Sequence, residues 1–126
     1  LVVVDAPCTG SGAWRRNPDA KWRIRPGALE QRMKDQDEAI RNAARFVKKG
    51  GRLLYITCSL LRQENEERLS AFLGEAPDFA SMDPAEMVRR AGLPMLVGHA
   101  RGLGLRLSPA ATGTDGFFIA MLTRTA

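Results

Sequence analysis

The apolar run Leu1-Val2-Val3-Val4 constrains the fold of this chain most. Four consecutive apolar residues, three of them β-branched, leave no polar face for solvent. Such a run fits a strand covered on both sides, the kind found in parallel sheets. A parallel neighbour cannot be reached through a tight hairpin and needs a crossover of a dozen or more residues. The chain is therefore expected to be α/β, and its opening directly on such a strand suggests a piece of a longer protein.

The rest of the sequence fits that expectation. The first strand ends at Asp5-Ala6-Pro7-Cys8, and Thr9-Gly10-Ser11-Gly12 permits a tight, exposed backbone path. From Trp14 to Pro26 the segment is polar and basic, with Pro18 and Pro26 as breakers, and reads as an ordered or ligand-ordered loop rather than a long helix. Leu29, Met33, Ile40, Ala43, Ala44 and Val47 recur near helical spacing between Gly27 and Lys49, with Gly50-Gly51 as the expected C-cap. Arg52 to Thr57 reads as a second apolar strand that stops at Cys58-Ser59. It leads into an amphipathic helix over Leu60 to Leu73, whose charged run from Glu64 to Arg68 is expected to be its solvated face.

Strand, helix, strand, helix in this order argues for parallel neighbours. A short helix over Asp83 to Ala91 follows. Leu103 to Leu107 and Phe117 to Leu122 then read as two strands that pair antiparallel at the sheet edge, with Phe117 and Phe118 filling the core.

At 126 residues and 44% hydrophobic composition the chain supports one core, hence one domain or part of one. A formal charge of +5 favours a polyanionic partner without fixing a site. No apolar run approaches the roughly 20 residues of a membrane span, no signal-peptide pattern is present, and a cytoplasmic protein is the expectation. Two cysteines and the lone His99 lack the spacings of metal ligands, so no metal is expected.

In open α/β sheets ligands bind beyond the carboxyl ends of the parallel strands. Cys8 follows the first strand and Cys58 the second, so two thiols are offered to one crevice. A free cysteine is often only a small buried apolar residue, but both thiols stand where the backbone leaves the sheet beside hydroxyl residues. A helix beginning near Leu60 would lower the pKa of Cys58. A phosphatase cradle needs Arg six residues after the cysteine, where Trp14 stands instead, and no CxxC redox motif is present.

Four linked motifs carry a family resemblance. Asp5-Ala6-Pro7-Cys8 precedes a Gly-rich turn, and Arg15-Arg16-Asn17-Pro18-Asp19 precedes Lys21-Trp22. Gly50-Gly51-Arg52-Leu53 leads to Tyr55-Ile56-Thr57-Cys58-Ser59-Leu60 with Glu64-Asn65-Glu66. Arg106-Leu107-Ser108-Pro109 precedes Thr114-Asp115-Gly116-Phe117-Phe118. In this order they resemble the Sun-type, ribosomal RNA small-subunit methyltransferase B/F-like family of RNA cytosine-5 methyltransferases.

The resemblance implies the C-terminal half of a Rossmann-like class I methyltransferase fold, with parallel strands and an antiparallel edge strand. It implies S-adenosylmethionine as cofactor and RNA, ribosomal by preference, as partner. Cys58 matches the family nucleophile that adds to cytosine C6, and Cys8 the cysteine that helps release product. Asp5 is expected between cofactor and base. Arg15, Arg16, Lys21, Trp22 and Arg23 are expected to contact RNA through phosphates and stacking. The family's glycine-rich cofactor loop has no counterpart in this chain, so the chain alone is expected to be inactive. Two rivals stand beside this reading: a non-catalytic RNA-binding module with the same fold, and a thiol redox protein.

Overall fold

The computed structural model describes residues 1–126. Strand β1 (Val2–Asp5) pairs parallel with β2 (Arg52–Thr57), in the register Val2↔Leu53 to Asp5↔Ile56, and helix α1 (Ala28–Ala44) lies in the connection between them. Helix α2 (Glu66–Glu75) follows β2. Then come β3 (Phe79–Ser81), α3 (Pro84–Arg90), the two-residue β4 (Ala100–Arg101), β5 (Gly104–Leu107), the single-turn α4 (Pro109–Thr112) and β6 (Phe117–Arg124).

The strands form one six-stranded sheet in the order β1-β2-β6-β5-β4, with β3 also on β6. β6 is antiparallel to β2, β3 and β5, so β1, β2, β3 and β5 share one direction, which β6 and the edge strand β4 oppose. This is a Rossmann-like segment. The expected pairing of the last two strands is present, with Leu105 opposite Ile119 and Leu107 opposite Phe117. β6 itself lies inside the sheet rather than at its edge. Its Phe118, Ala120 and Leu122 are fully buried, and an inner position covers them while satisfying both backbone edges of the strand.

One sheet face carries the main core. Val4, Leu53, Tyr55, Phe118, Ala120 and Leu122 pack under Ile40 and Ala44 of α1 and Leu69 and Phe72 of α2. Phe118 meets Tyr55 edge-to-face at 6.4 Å. The other face has a smaller cluster of Met87, Val88 and Leu105 under α3. Because α3 packs over β5 and β6, the far side of β1 is left open: Val4 is buried but Val3 is exposed, against the expectation of cover on both faces.

Two helix boundaries differ from expectation. α1 ends at Ala44, not at Gly50-Gly51. Phe46 and Val47 tighten into turns on the Ala43 and Ala44 carbonyls, which tucks Val47 beneath the sheet. Gly50, at φ 76°, instead turns the chain into β2 and donates its N–H to the Arg124 carbonyl at 2.8 Å. α2 starts at Glu66 rather than Leu60. A short 3-10 turn over Arg62–Glu64 precedes it, and Asn65, at φ −114° and ψ −102°, breaks the helical backbone.

The segment from Trp14 to Pro26 forms no long helix, as expected, and contains a 3-10 segment over Pro18–Arg23. No helix is long and apolar enough to cross a membrane.

Candidate active site

Parallel pairing of β1 and β2 sends both cysteine loops off the same end of the sheet. The Ala6 N–H donates to the Ile56 carbonyl at 2.9 Å, and the Gly12 N–H to the Cys58 carbonyl at 2.8 Å, so the two loops stay laced together past the last strand residues. This brings the sulfurs of Cys8 and Cys58 to 3.3 Å, a hydrogen-bond contact between two free, half-buried thiols. A covalent S–S bond would need about 2.05 Å.

The loop before β6 closes the same end. Gly116 donates its N–H to the Gly12 carbonyl at 2.7 Å. The two backbones cross so closely that a Cβ on Gly12 would lie 2.2 Å from the Gly116 oxygen, and one on Gly116 would lie 2.4 Å from a Leu60 methyl. Glycine is required here by space rather than by φ. Sequence reading placed Gly12 only in a permissive turn, because a through-space crossing leaves no local signature.

Beneath the sulfurs lies the residue that sequence reading misassigned. Glu64 and Asn65, expected on a solvated helix face, are fully buried. The Glu64 carboxyl accepts from the Thr9 N–H and hydroxyl, each at 2.8 Å, from Gln36 Nε2 at 3.1 Å and from the Ser59 hydroxyl. Asn65 accepts from the Thr57 hydroxyl at 2.5 Å and donates to the Ser59 carbonyl at 2.9 Å. Tyr55 donates its hydroxyl to the Glu64 carbonyl at 2.6 Å. These bonds satisfy a buried carboxyl group that would otherwise carry a large desolvation cost. They also explain the late start of α2, since residues 64 and 65 turn inward to serve the strand ends. The helix N-terminus expected to assist Cys58 is therefore displaced to Glu66.

The electrostatics separate the two thiols. Cys58 is lowered to about 7, chiefly by the hydrogen bond from Cys8, with burial opposing and a backbone hydrogen bond assisting; Asp5 and Glu64 push it the other way. Cys8 is raised far above the ordinary thiol range, first by that same bond to Cys58, then by burial and by the charge on Cys58. Cys58 is therefore the thiol that ionises first, and as thiolate it accepts the hydrogen bond that Cys8 donates. A thiolate is the reactive form of cysteine. Asp5 ends β1, exposed, on the same side.

The basic residues split into two groups. Arg15 and Arg16 both pair with Asp115, Arg15 Nε at 2.7 Å, and Arg15 also reaches the Gly113 carbonyl. They tie the loop after β1 to the loop before β6 while staying partly exposed. Trp22 is 79% exposed, with Lys21 Nζ 4.8 Å from its ring centre, and Arg23 pairs with Asp19. Arg23, Arg25 and Arg32 line a cavity of ≈ 510 Å³ whose wall includes Cys8 and Thr9. Arg25 was part of the basic stretch in sequence; Arg32 enters only because α1 packs beside that stretch. No cluster of three or more His, Cys, Asp or Glu side chains is arranged to hold a metal. Toward a sulfonium cofactor these residues offer the Asp5 carboxylate, and no glycine-rich nucleotide loop is among them.

Residues 1–123 match the family model described as 16S rRNA methyltransferase RsmB/F. Ribosomal RNA small subunit methyltransferase B of Sodalis glossinidius is 37% identical over 123 residues, covering 98% of this chain and 25% of that protein. The probable ribosomal RNA small subunit methyltransferase B of Bacillus subtilis is 37% identical, with 98% and 27% covered. Among solved structures, PH0851 superposes with a TM-score of 0.78 at 36% identity, over 95% of this chain and 25% of that one. NSun6 from Pyrococcus horikoshii, solved with SFG, gives 0.71 at 25% identity, over 98% and 29%. The chain thus spans about a quarter of the length of the curated relatives it matches. With the paired thiols, the motif order and the sheet all in agreement, this chain belongs to the 16S rRNA methyltransferase RsmB/F family.

Proposed function

We propose that this chain is the C-terminal part of the catalytic domain of a cytoplasmic, S-adenosylmethionine-dependent RNA (cytosine-5) methyltransferase acting on ribosomal RNA. The observation that carries the reading is the contact of Cys8 and Cys58 at 3.3 Å beyond two parallel strands; the lowering of Cys58 to about 7 supports it as the nucleophile. The names of the relatives support ribosomal RNA as substrate, and the neighbour solved with SFG, an S-adenosylmethionine analogue, supports the cofactor.

C5 of cytosine is a weak carbon nucleophile. Addition of the Cys58 thiolate to C6 turns C5 into an enamine-like carbon able to take a methyl group. S-adenosylmethionine, when bound, supplies that methyl. Loss of the C5 proton to a base then re-forms the ring double bond as the C6–S bond breaks and Cys58 leaves as thiolate. Cys8, in hydrogen-bond contact with the Cys58 sulfur, would help release the product; the 3.3 Å contact supports that role. Asp5 would hold the exocyclic amino edge of the base or face the sulfonium charge. Base chemistry requires the nucleotide to be drawn out of its stack. The arginine-lined cavity and exposed Trp22 suit backbone capture and stacking. Because the cofactor loop is not among these residues, the chain alone is inactive in this reading.

The test is an RNA carrying 5-fluorocytosine at the target, mixed with the full-length parent and S-adenosylmethionine. Fluorine at C5 blocks the proton loss that frees the enzyme. A covalent complex on denaturing gels that vanishes in Cys58→Ala is the expected result. A complex that depends on Cys8 instead would reverse the two roles, and its absence on every ribosomal RNA substrate would favour a non-catalytic RNA-binding module.

A further inference from the structure

The thiols do not position themselves. Each sulfur sits on a loop, and loops hold geometry poorly unless a buried group fixes them. The residue after each cysteine, Thr9 in one loop and Ser59 in the other, is bonded to the same carboxyl group, that of Glu64. Gln36 on α1, bonded to Glu64, also donates to the Pro7 carbonyl at 2.8 Å, so Cys8 is held from both sides. Cys58 is likewise bracketed, by Thr57 on Asn65 and Ser59 on Glu64. Four donor groups from three separate chain segments converge on one fully buried side chain that makes no hydrogen bond to either sulfur.

From this we infer that Glu64 is the positioning residue of the thiol pair: its carboxyl group, acting through Thr9 and Ser59, holds Cys8 and Cys58 at contact distance. The consequence for methyl transfer rests on the function proposed above, but the geometry itself is open to test without RNA or cofactor. An apolar residue of equal size would fill the same space, yet it would leave the Thr9 N–H, the Gln36 amide and two hydroxyls without their shared acceptor. The ionisable groups facing Cys58 are Cys8, Asp5 and Glu64. Glu64 opposes ionisation of Cys58 by its charge, so a role through charge alone and a role through position predict opposite shifts.

The experiment compares the full-length parent with its Glu64→Ala, Glu64→Gln and Thr9→Val variants, each checked for folding by circular dichroism. Two readouts are taken: the pH midpoint of Cys58 alkylation, assigned by peptide mass, and the rate at which oxidised glutathione closes a Cys8–Cys58 disulfide. In that closure the two thiols lose two electrons and two protons, and the oxidant leaves as two molecules of glutathione. For Glu64→Ala the expected result is a midpoint raised toward the ordinary thiol value and closure slowed about tenfold or more, as proximity is lost. Glu64→Gln, whose amide still bonds the rotatable Thr9 and Ser59 hydroxyls, is expected to recover most of both.

A folded Glu64→Ala whose midpoint falls, or whose midpoint and closure rate stay at wild type, overturns the inference. If Glu64→Ala does not fold, Thr9→Val, which removes one hydroxyl bond from the clamp, decides it: a smaller shift in the same direction supports the positioning role, and no shift rejects it. Absence of methyl transfer by the unsubstituted parent, with the thiol readouts of the variants as expected, would count against the methyltransferase reading and leave the role of Glu64 untouched.

Discussion

The cysteine centre and the basic loop lie side by side, yet they are built by opposite rules. At the centre, Glu64, Asn65, Thr57 and Ser59 are buried and cross-bonded, so the sulfur positions are fixed before any substrate arrives. In the loop, Trp22 and Arg23 are exposed, and the ion pairs of Arg15, Arg16 and Arg23 have at least one solvent-facing partner. Chemistry demands preorganised geometry, and burial supplies it. RNA capture, the role proposed for the loop, demands charge and aromatic surface that remain accessible, and binding of a polyanion there draws on counterion release rather than shape alone.

If that division is right, substitutions at the centre should act on rate and substitutions in the loop on affinity. The largest effect is expected for Cys58→Ala in the full-length parent, a loss of methyl transfer of about 10⁴-fold or more at unchanged RNA binding, read by single-turnover kinetics. Cys8→Ala should instead let the covalent RNA complex accumulate on denaturing gels; equal behaviour of the two variants would break the assignment of separate roles. Next comes Gly12→Ala, whose Cβ would press on the Gly116 carbonyl at 2.2 Å, with an expected loss of about 2–4 kcal/mol in urea unfolding. Gly10→Ala meets no atom but must keep φ 75°, and should cost only about 1 kcal/mol. Similar losses at both positions would mean that the glycine crossing is not tight.

Trp22→Ala should weaken RNA affinity by about 1–3 kcal/mol without changing the single-turnover rate. A rate effect there would blur the division between the two regions. The alkylation rate of Cys58 should rise with pH through a midpoint near 7, because its thiolate forms as pH climbs past the lowered value. Cys8→Ala should move that midpoint upward, since it removes the largest cause of the lowering. The smallest effects belong to Arg15→Ala and Arg16→Ala. Their partly exposed pairs with Asp115 should contribute little to stability, read by urea unfolding. Each should still lower the salt dependence of RNA binding by roughly one unit of slope if it meets a phosphate.

Much of this protein was legible in its sequence because the signals are local. An all-apolar opening strand, a second apolar strand ending in Thr57-Cys58, helical spacing from Leu29 to Ala44 and paired closing strands require only neighbouring residues to agree, and all are present. The two cysteines at strand ends were legible for the same reason.

Tertiary structure decided what depends on residues distant in sequence. Glu64 reads as a solvated charge among charges, and only the approach of Thr9 and Gln36, 55 and 28 positions away, turns it into a buried acceptor. Gly12 reads as a flexible turn, and only the arrival of Gly116 makes it a point of contact. β6 reads as an edge strand because its sequence says that it pairs with β5; that it also pairs with β2 is set by which faces must be covered. Sequence by itself determined which segments become strands and helices and where the thiols stand along them. The fold alone brought the thiols together and chose the buried carboxyl that holds them, because a contact between segments has no periodicity to read.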